Sequence, residues 1–219
     1  MRKVAIVGGG PEEAIPDLRL FDEEVLWIGA DRGAHVLLSQ GIQPTEAVGD
    51  FDSVTNEEKS LIQEKAQHFE EHPSEKDETD LELALQKAYS YQPDVLYLFG
   101  VTGGRMDHGL INLQLLYPLE EKGIRGIVID KGNWVELRKS GTHIVEYDDL
   151  YPNISFIPFT PEVKGITLEG FYYPLENQDV PWGSTLCISN KLISEKGTFS
   201  FNEGILLLVK SRDVNEVSM

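Results

Sequence analysis

Apolar residues gather in short runs across the first half of this chain, and between the runs they recur at three- and four-residue spacing. Residues 4–7 and 25–28 read as buried strands. Residues 32–40 read as a helix with Ala34, Leu37 and Leu38 on one face, stopped by Gly41. Asn56 is the expected cap of a helix reaching about residue 67, with Leu61, Ile62 and Ala66 inward and Glu57 and Glu58 at its positive end. Residues 68–73 suit a short edge strand, and Thr79 is placed to cap a helix whose face is Leu81, Ala84, Leu85 and Ala88. Residues 95–99 read as a fully buried strand. Residues 107–119 read as a helix with Leu110, Leu113, Gln114 and Tyr117 in register, and residues 127–129 as a last strand. Such alternation predicts a largely parallel sheet covered on both faces, an α/β arrangement.

After Asp130-Lys131-Gly132 the pattern changes. Proline, glycine and asparagine separate short β-type runs at 134–137, 143–146, 154–159, 166–168, 186–189 and 205–210. No helical spacing accompanies them, so an all-β sandwich or barrel is expected. The predicted division is therefore 1–131 and 132–219. The chain carries no internal repeat and no low-complexity tract.

A net charge of −18 argues against broad nucleic-acid binding, since backbone phosphates are repelled, and mildly favours a cationic small substrate. Simple solubility accounts for the same charge. Cys187, the one cysteine, lies in an apolar run without a close basic neighbour and reads as a core thiol. The apolar run near the N-terminus is too short for a signal peptide and is broken at once by Gly8-Gly9-Gly10-Pro11. No apolar stretch reaches the ~18 residues of a membrane span. The expected location is the cytoplasm.

Candidate chemistry sits where apolar runs end. Asp50 and Asp52, in Gly49-Asp50-Phe51-Asp52-Ser53, share one side of an extended stretch, so both can face one cation. Magnesium takes carboxylate and phosphate oxygens; the competing reading is a plain Asp/Ser turn. In Lys76-Asp77-Glu78-Thr79-Asp80, the acids exceed what a helix cap requires, and Lys76 can reach a phosphate. Thr102-Gly103-Gly104-Arg105-Met106-Asp107-His108 follows a strand and opens a helix. Its paired glycines admit a phosphate to the backbone, and the guanidinium of Arg105 suits phosphoryl oxygens. Asp107 and His108 can equally be capping or surface residues. Gly8-Gly9-Gly10 can also cradle a phosphate, although no regular helical pattern follows it.

Together with Gly29-Ala30-Asp31-Arg32-Gly33-Ala34, these blocks occur in the type and order of the bacterial thiamine pyrophosphokinase family, which the chain resembles; Ser189-Asn190 and the strand 204–208 resemble segments of that family's second half. The resemblance implies an ATP- and Mg2+-binding α/β domain followed by a thiamine-binding β-sandwich, in a homodimer with thiamine where two chains meet. It implies transfer of the β,γ-pyrophosphoryl unit of ATP to the hydroxyethyl oxygen of thiamine, releasing AMP. Carried over, Asp50, Asp52 and Asp80 hold magnesium and Asp77 supports them. Arg105, Gly103 and Gly104 hold the polyphosphate, with Lys76, Thr102, Asp107 and His108 on the nucleotide side. Asp31, Asp80, Ser189 and Asn190 face thiamine, and Asp80 or Asp77 takes the hydroxyl proton.

Such a transfer asks for positioning and charge neutralisation rather than a covalent enzyme intermediate. Two other readings stay open: a magnesium-dependent phosphoesterase that activates water with Asp50 and Asp52, and a non-catalytic nucleotide or vitamin sensor.

Overall fold

In the computed structural model, which describes residues 1–21, 24–75 and 77–213, the first unit of the chain spans Met1–Lys131. Its strands are β1 (Lys3–Val7), β2 (Val25–Ala30), β3 (Glu46–Gly49), β4 (His68–Glu71), β5 (Val95–Phe99) and β6 (Arg125–Ile129). They pair in parallel in the order β6-β5-β1-β2-β3-β4. Residues Val4 to Val7 are wholly buried, as are Leu96, Leu98 and Phe99 beside them; each Val, Ile, Leu or Phe side chain so buried stabilises the fold by about 1.5–3 kcal/mol. The chain steps outward from β1 to β4 and then returns to β5 on the other side of β1. The loops after β1 and β5 therefore leave the sheet in different directions, and the crevice between them is where open α/β sheets bind ligands.

The helices are α1 (Arg32–Ser39), α2 (Asn56–Lys65), α3 (Asp80–Ser90), α4 (Met106–Gln114) and α5 (Leu116–Glu121). α1 can start hard against β1 because Gly33 has no side chain: a Cβ there would lie 1.8 Å from the Val7 carbonyl oxygen. Thr55, not Asn56, caps α2, because Thr55 and Glu58 stand at the spacing of a reciprocal capping box. Ile62 is the buried residue of that helix and Leu61 is exposed. Thr79 caps α3 through the same device with Glu82. The buried face of α3 is Leu83, Ala84, Leu85 and Ala88; Leu81 instead borders the crevice.

The single helix expected over 107–119 is two helices meeting at Leu115. Pro118 has no N–H to give the Gln114 carbonyl and its ring crowds that oxygen, so α4 ends there. Leu116 and Leu119 reach the core, whereas Leu110 and Tyr117 are exposed.

The second unit, Gly132–Met219, is strand-rich: β7 (Asn133–Glu146), β8 (Asn153–Pro158), β9 (Glu162–Glu169), β10 (Leu175–Pro181) and β11 (Lys196–Ser211). The runs expected at 134–137 and 143–146 are one strand, because β7 pairs with β11 along its whole length. β11 is shared. Thr198 to Glu203 pair with β9, and Leu206 to Ser211 with β8, the change of partner following a bulge between Phe201 and Ile205. Val145, Phe156, Val163, Leu168, Phe199 and Leu208 belong to the core so enclosed.

Residues 186–189 do not form a strand; they lead into a bridge between Ile154 and Asn190. β10 carries glutamate, asparagine, glutamine and aspartate in succession, which hid it from a hydrophobic pattern. Cys187 is a core thiol, pushed up to about 11 by burial. No helix among the described residues is long and apolar enough to cross a membrane.

Candidate active site

The crevice outside β1 and β5 has a volume of about 670 Å3. Its floor is two stitched loops: Gly8 N–H donates to the Phe99 carbonyl and Gly10 N–H to the Gly100 carbonyl, both at 2.8 Å. The approach tolerates no side chain, since a Cβ on Gly10 would meet the Gly100 oxygen at 2.5 Å. Gly8-Gly9-Gly10 thus lines the crevice although no α-helix directly follows it. Thr102, Gly104, Arg105, Asp107 and His108 form one wall, and Asp31, Thr79, Asp80 and Leu81 another.

On the first wall, the Thr102 hydroxyl donates to Asp130 Oδ2 at 2.7 Å, and Asn112 Nδ2 donates to the Val101 carbonyl at 2.8 Å. These two bonds fix the glycine-rich loop to the end of β6 and to α4. Asp130 stands out in the sequence only as the boundary between the two halves, and Asn112 not at all, because it is a single polar residue within a helical pattern. Gly103 takes φ 84°, a conformation glycine adopts without strain. Arg105 is exposed and forms a two-pronged pair with Asp107, Nε to Oδ1 at 3.1 Å and Nη2 to Oδ2 at 2.5 Å. That hydrogen bond, with the backbone N–H of His108, holds the Asp107 carboxyl down at about 2.

The second wall carries the acids. Asp31, Asp50 and Asp52 bring one carboxylate oxygen each to within 4.8 Å of one another. The Asp50 to Asp52 segment turns, as the competing reading had it, rather than running extended. Phe51 sits at φ 56°, buried and stacked on Phe69 with ring centroids 4.7 Å apart, and the Asp52 N–H donates to Asp50 Oδ1 at 3.2 Å. The phenyl ring anchors the turn in the core formed with Ala34, Ala47 and Ile62, so the flanking carboxylates stay outside.

Asp31 follows β2 at φ 50°, its N–H bonded to the Val48 carbonyl at 2.9 Å. Burial pushes its carboxyl up; the Ser53 hydroxyl and the Arg32 backbone N–H pull it down, and the charges of Asp80 and Asp50 add to the rise. Its Oδ1 is buried and unpaired. Asp31 thus combines an uncommon backbone conformation with a buried carboxylate oxygen that has no hydrogen-bond partner.

Asp80 opens α3 beside this group, whereas Asp77 is exposed in the preceding loop and outside the three-carboxylate group. Lys76 lies outside the described residues. In the second unit, Ser189 is exposed and Asn190 is buried. The Asn190 side chain accepts from the N–H groups of Tyr173 and Lys191 at 3.0 and 2.8 Å, and donates to the Tyr173 carbonyl at 2.8 Å.

A family model described as thiamin pyrophosphokinase, catalytic domain, matches residues 18–128, and one described as thiamin pyrophosphokinase, vitamin B1 binding domain, matches residues 142–206. The chain belongs to the thiamine pyrophosphokinase family. It is 48% identical over 214 residues to thiamine pyrophosphokinase of Bacillus subtilis (strain 168), covering 97% of this chain and 100% of that one. Among solved structures, thiamine pyrophosphokinase from Bacillus subtilis is similar with a TM-score of 0.91 at 47% identity, covering 97% of this chain and 100% of that chain. Thiamin pyrophosphokinase from Geobacillus thermodenitrificans gives 0.87 at 44% identity, over 97% and 98% of the two chains. The thiamin pyrophosphokinase catalytic-domain match spans all three grouped carboxylates and the glycine-rich loop; the B1-binding match spans Ser189 and Asn190.

Proposed function

We propose that the crevice outside β1 and β5, with the carboxylates beside it, is where this chain performs its family's reaction. That reaction is ATP-dependent transfer of a pyrophosphoryl group to the hydroxyl of thiamine, giving thiamine diphosphate and AMP. The observation that carries the placement is the convergence of Asp31, Asp50 and Asp52 next to a glycine-floored cleft.

Like charges at this separation repel, and an all-oxygen donor set with a buried, unpaired Asp31 Oδ1 fits a hard divalent cation. Asp31, Asp50 and Asp52 would hold magnesium, with Asp80 adjoining. When bound, magnesium supplies positive charge to the polyphosphate oxygens.

The chain's own groups do the rest. Gly103, Gly104 and the start of α4 receive the polyphosphate through backbone N–H groups, and Arg105 exchanges Asp107 for phosphoryl oxygens. Asp80 borders the crevice and Asp77 does not, which supports the Asp80 carboxylate as acceptor of the hydroxyethyl proton. Thiamine is assigned to the second unit, in a homodimer. Support comes from Tyr172, Tyr173, Ile188 and Ile193, which cluster around the Asn190 bridge with their side chains exposed.

The test is AMP release measured with thiamine, with thiamine monophosphate and with no acceptor. Thiamine-dependent AMP is expected; acceptor-independent AMP or inorganic phosphate would point to a hydrolase, and no turnover to a sensor.

A further inference from the structure

The three grouped carboxylates are not held alike. Asp50 is fixed by the Asp52 N–H within its own turn. Asp31 arrives from a different strand end, and a carboxylate facing two like charges rotates away unless something holds it. The Ser53 hydroxyl does so, donating to Asp31 Oδ2. The other oxygen, Oδ1, stays buried and unpaired.

Ser53 is itself braced. Arg32 Nη1 donates to the Ser53 carbonyl at 3.3 Å, while Arg32 Nε is tied to Glu12 Oε1 at 2.9 Å. A relay thus runs from the loop after β1, through Arg32 and Ser53, to Asp31. Ser53 is exposed, so this arrangement buries no apolar surface and contributes little to the core.

We propose that Ser53 is a positioning residue for the acidic group, capping one oxygen of Asp31 so that the other is presented to the cation. The proposal rests on the carboxylate reading of the site and adds the residue that sets its geometry. Groups that orient metal ligands from behind change metal affinity about 10- to 100-fold when removed.

The experiment is titration of the metal-free full chain with Mn2+, followed by the electron paramagnetic resonance of free Mn2+, for the parent, Ser53→Ala, Ser53→Thr and Asp52→Asn. Ser53→Ala is expected to bind about 10-fold more weakly and Ser53→Thr, which keeps the hydroxyl, within about twofold of the parent. In the AMP assay, Ser53→Ala should raise the half-saturating magnesium concentration far more than it lowers turnover at saturation.

If Ser53→Ala binds Mn2+ like the parent while Asp52→Asn does not, the positioning role is wrong and the carboxylate site stands. Parental Mn2+ affinity in Asp52→Asn would remove the site itself, and Ser53 with it. A lowered melting temperature in Ser53→Ala with unaltered Mn2+ affinity would make the hydroxyl merely structural and overturn the proposal.

Discussion

Asp31 in the first unit and Ser189 in the second both sit at positive φ, 50° and 54°, yet the polar groups around them are used in opposite ways. Around Ser189 the backbone and the neighbouring amide are tied down. Its N–H donates to Ser155 Oγ at 3.0 Å, Asn190 and Ile154 exchange backbone bonds at 2.8 Å, and the Asn190 amide clasps both polar backbone groups of Tyr173. Around Asp31, three carboxylates crowd together and a buried oxygen has no partner. The Ser189 segment is a finished platform. The Asp31 segment carries an electrostatic cost that the proposed cation would relieve. Unsatisfied charge, more than unusual backbone, separates the proposed magnesium site from the platform around Asn190.

Asp31→Asn breaks this comparison most strongly. Asparagine tolerates positive φ and keeps an acceptor for Ser53, so the fold survives while the charge is lost. Thiamine-dependent AMP release should fall about 10³-fold, the usual scale for removing a group that organises charge at a transferring phosphoryl. Stability should move the other way. Folding raises the Asp31 carboxyl above its ordinary value, so the folded chain holds that proton more tightly than the unfolded chain. Stability from this group is present below the ordinary carboxylate range and is lost as pH climbs through the raised value. At neutral pH without metal, the variant should therefore melt higher, by about 2–4 °C if about 1 kcal/mol is recovered. A lower melting temperature would mean that the carboxylate is an ordinary structural group.

Asn190→Ala should show the opposite signature. The buried amide is committed to Tyr173 and Lys191, so its loss leaves backbone groups unpaired and should cost about 1–3 kcal/mol of stability. With Tyr173 released, the exposed pair Tyr172 and Tyr173 loses its fixed pose. The thiamine requirement should then rise while half-saturation by ATP stays put. Calorimetric melting and separate titrations of the two substrates check both parts. A raised ATP requirement would contradict the assignment of the second unit to thiamine.

The sequence located the acids but misread how they meet. Asp50 and Asp52 were legible as a pair, yet on the premise of an extended stretch. The left-handed Phe51, held by its stack on Phe69 from β4, depends on a tertiary contact that no local pattern contains. The resemblance places Asp31 toward thiamine; that it also stands beside Asp50 follows from β2 and β3 being neighbours, which no local pattern contains. The helix break at Pro118 was readable in principle, since proline alone dictates it. By contrast, the continuity of β7 through Gly141 was not, because it is imposed by pairing with β11. The alternation of strand and helix was read well because buried parallel strands are apolar throughout. The second unit was harder, since β10 is mostly exposed and its polar residues conceal it.

The smallest expected effect, Arg105→Lys, sharpens the comparison within the crevice itself. Arg105 is not unsatisfied like Asp31: it is exposed and already forked onto Asp107. On the proposed reading, binding a polyphosphate there would exchange one two-pronged partner for another, so part of the gain would be offset by the bond given up. Lysine keeps the positive charge but loses the planar fork, and it pairs with Asp107 through a single ammonium. Turnover should fall about 10-fold, well short of the loss on removing a carboxylate, because charge is retained and only geometry is lost. Asp107, held down at about 2 by Arg105, stays ionised across the neutral range, so the deficit should not vary with pH there. Steady-state AMP release by both proteins over a neutral pH series, with melting curves alongside, decides the matter. Equal turnover would make Arg105 a surface residue at the start of α4, while a loss as large as that of Asp31→Asn would mean that the fork, not the charge, organises the transfer.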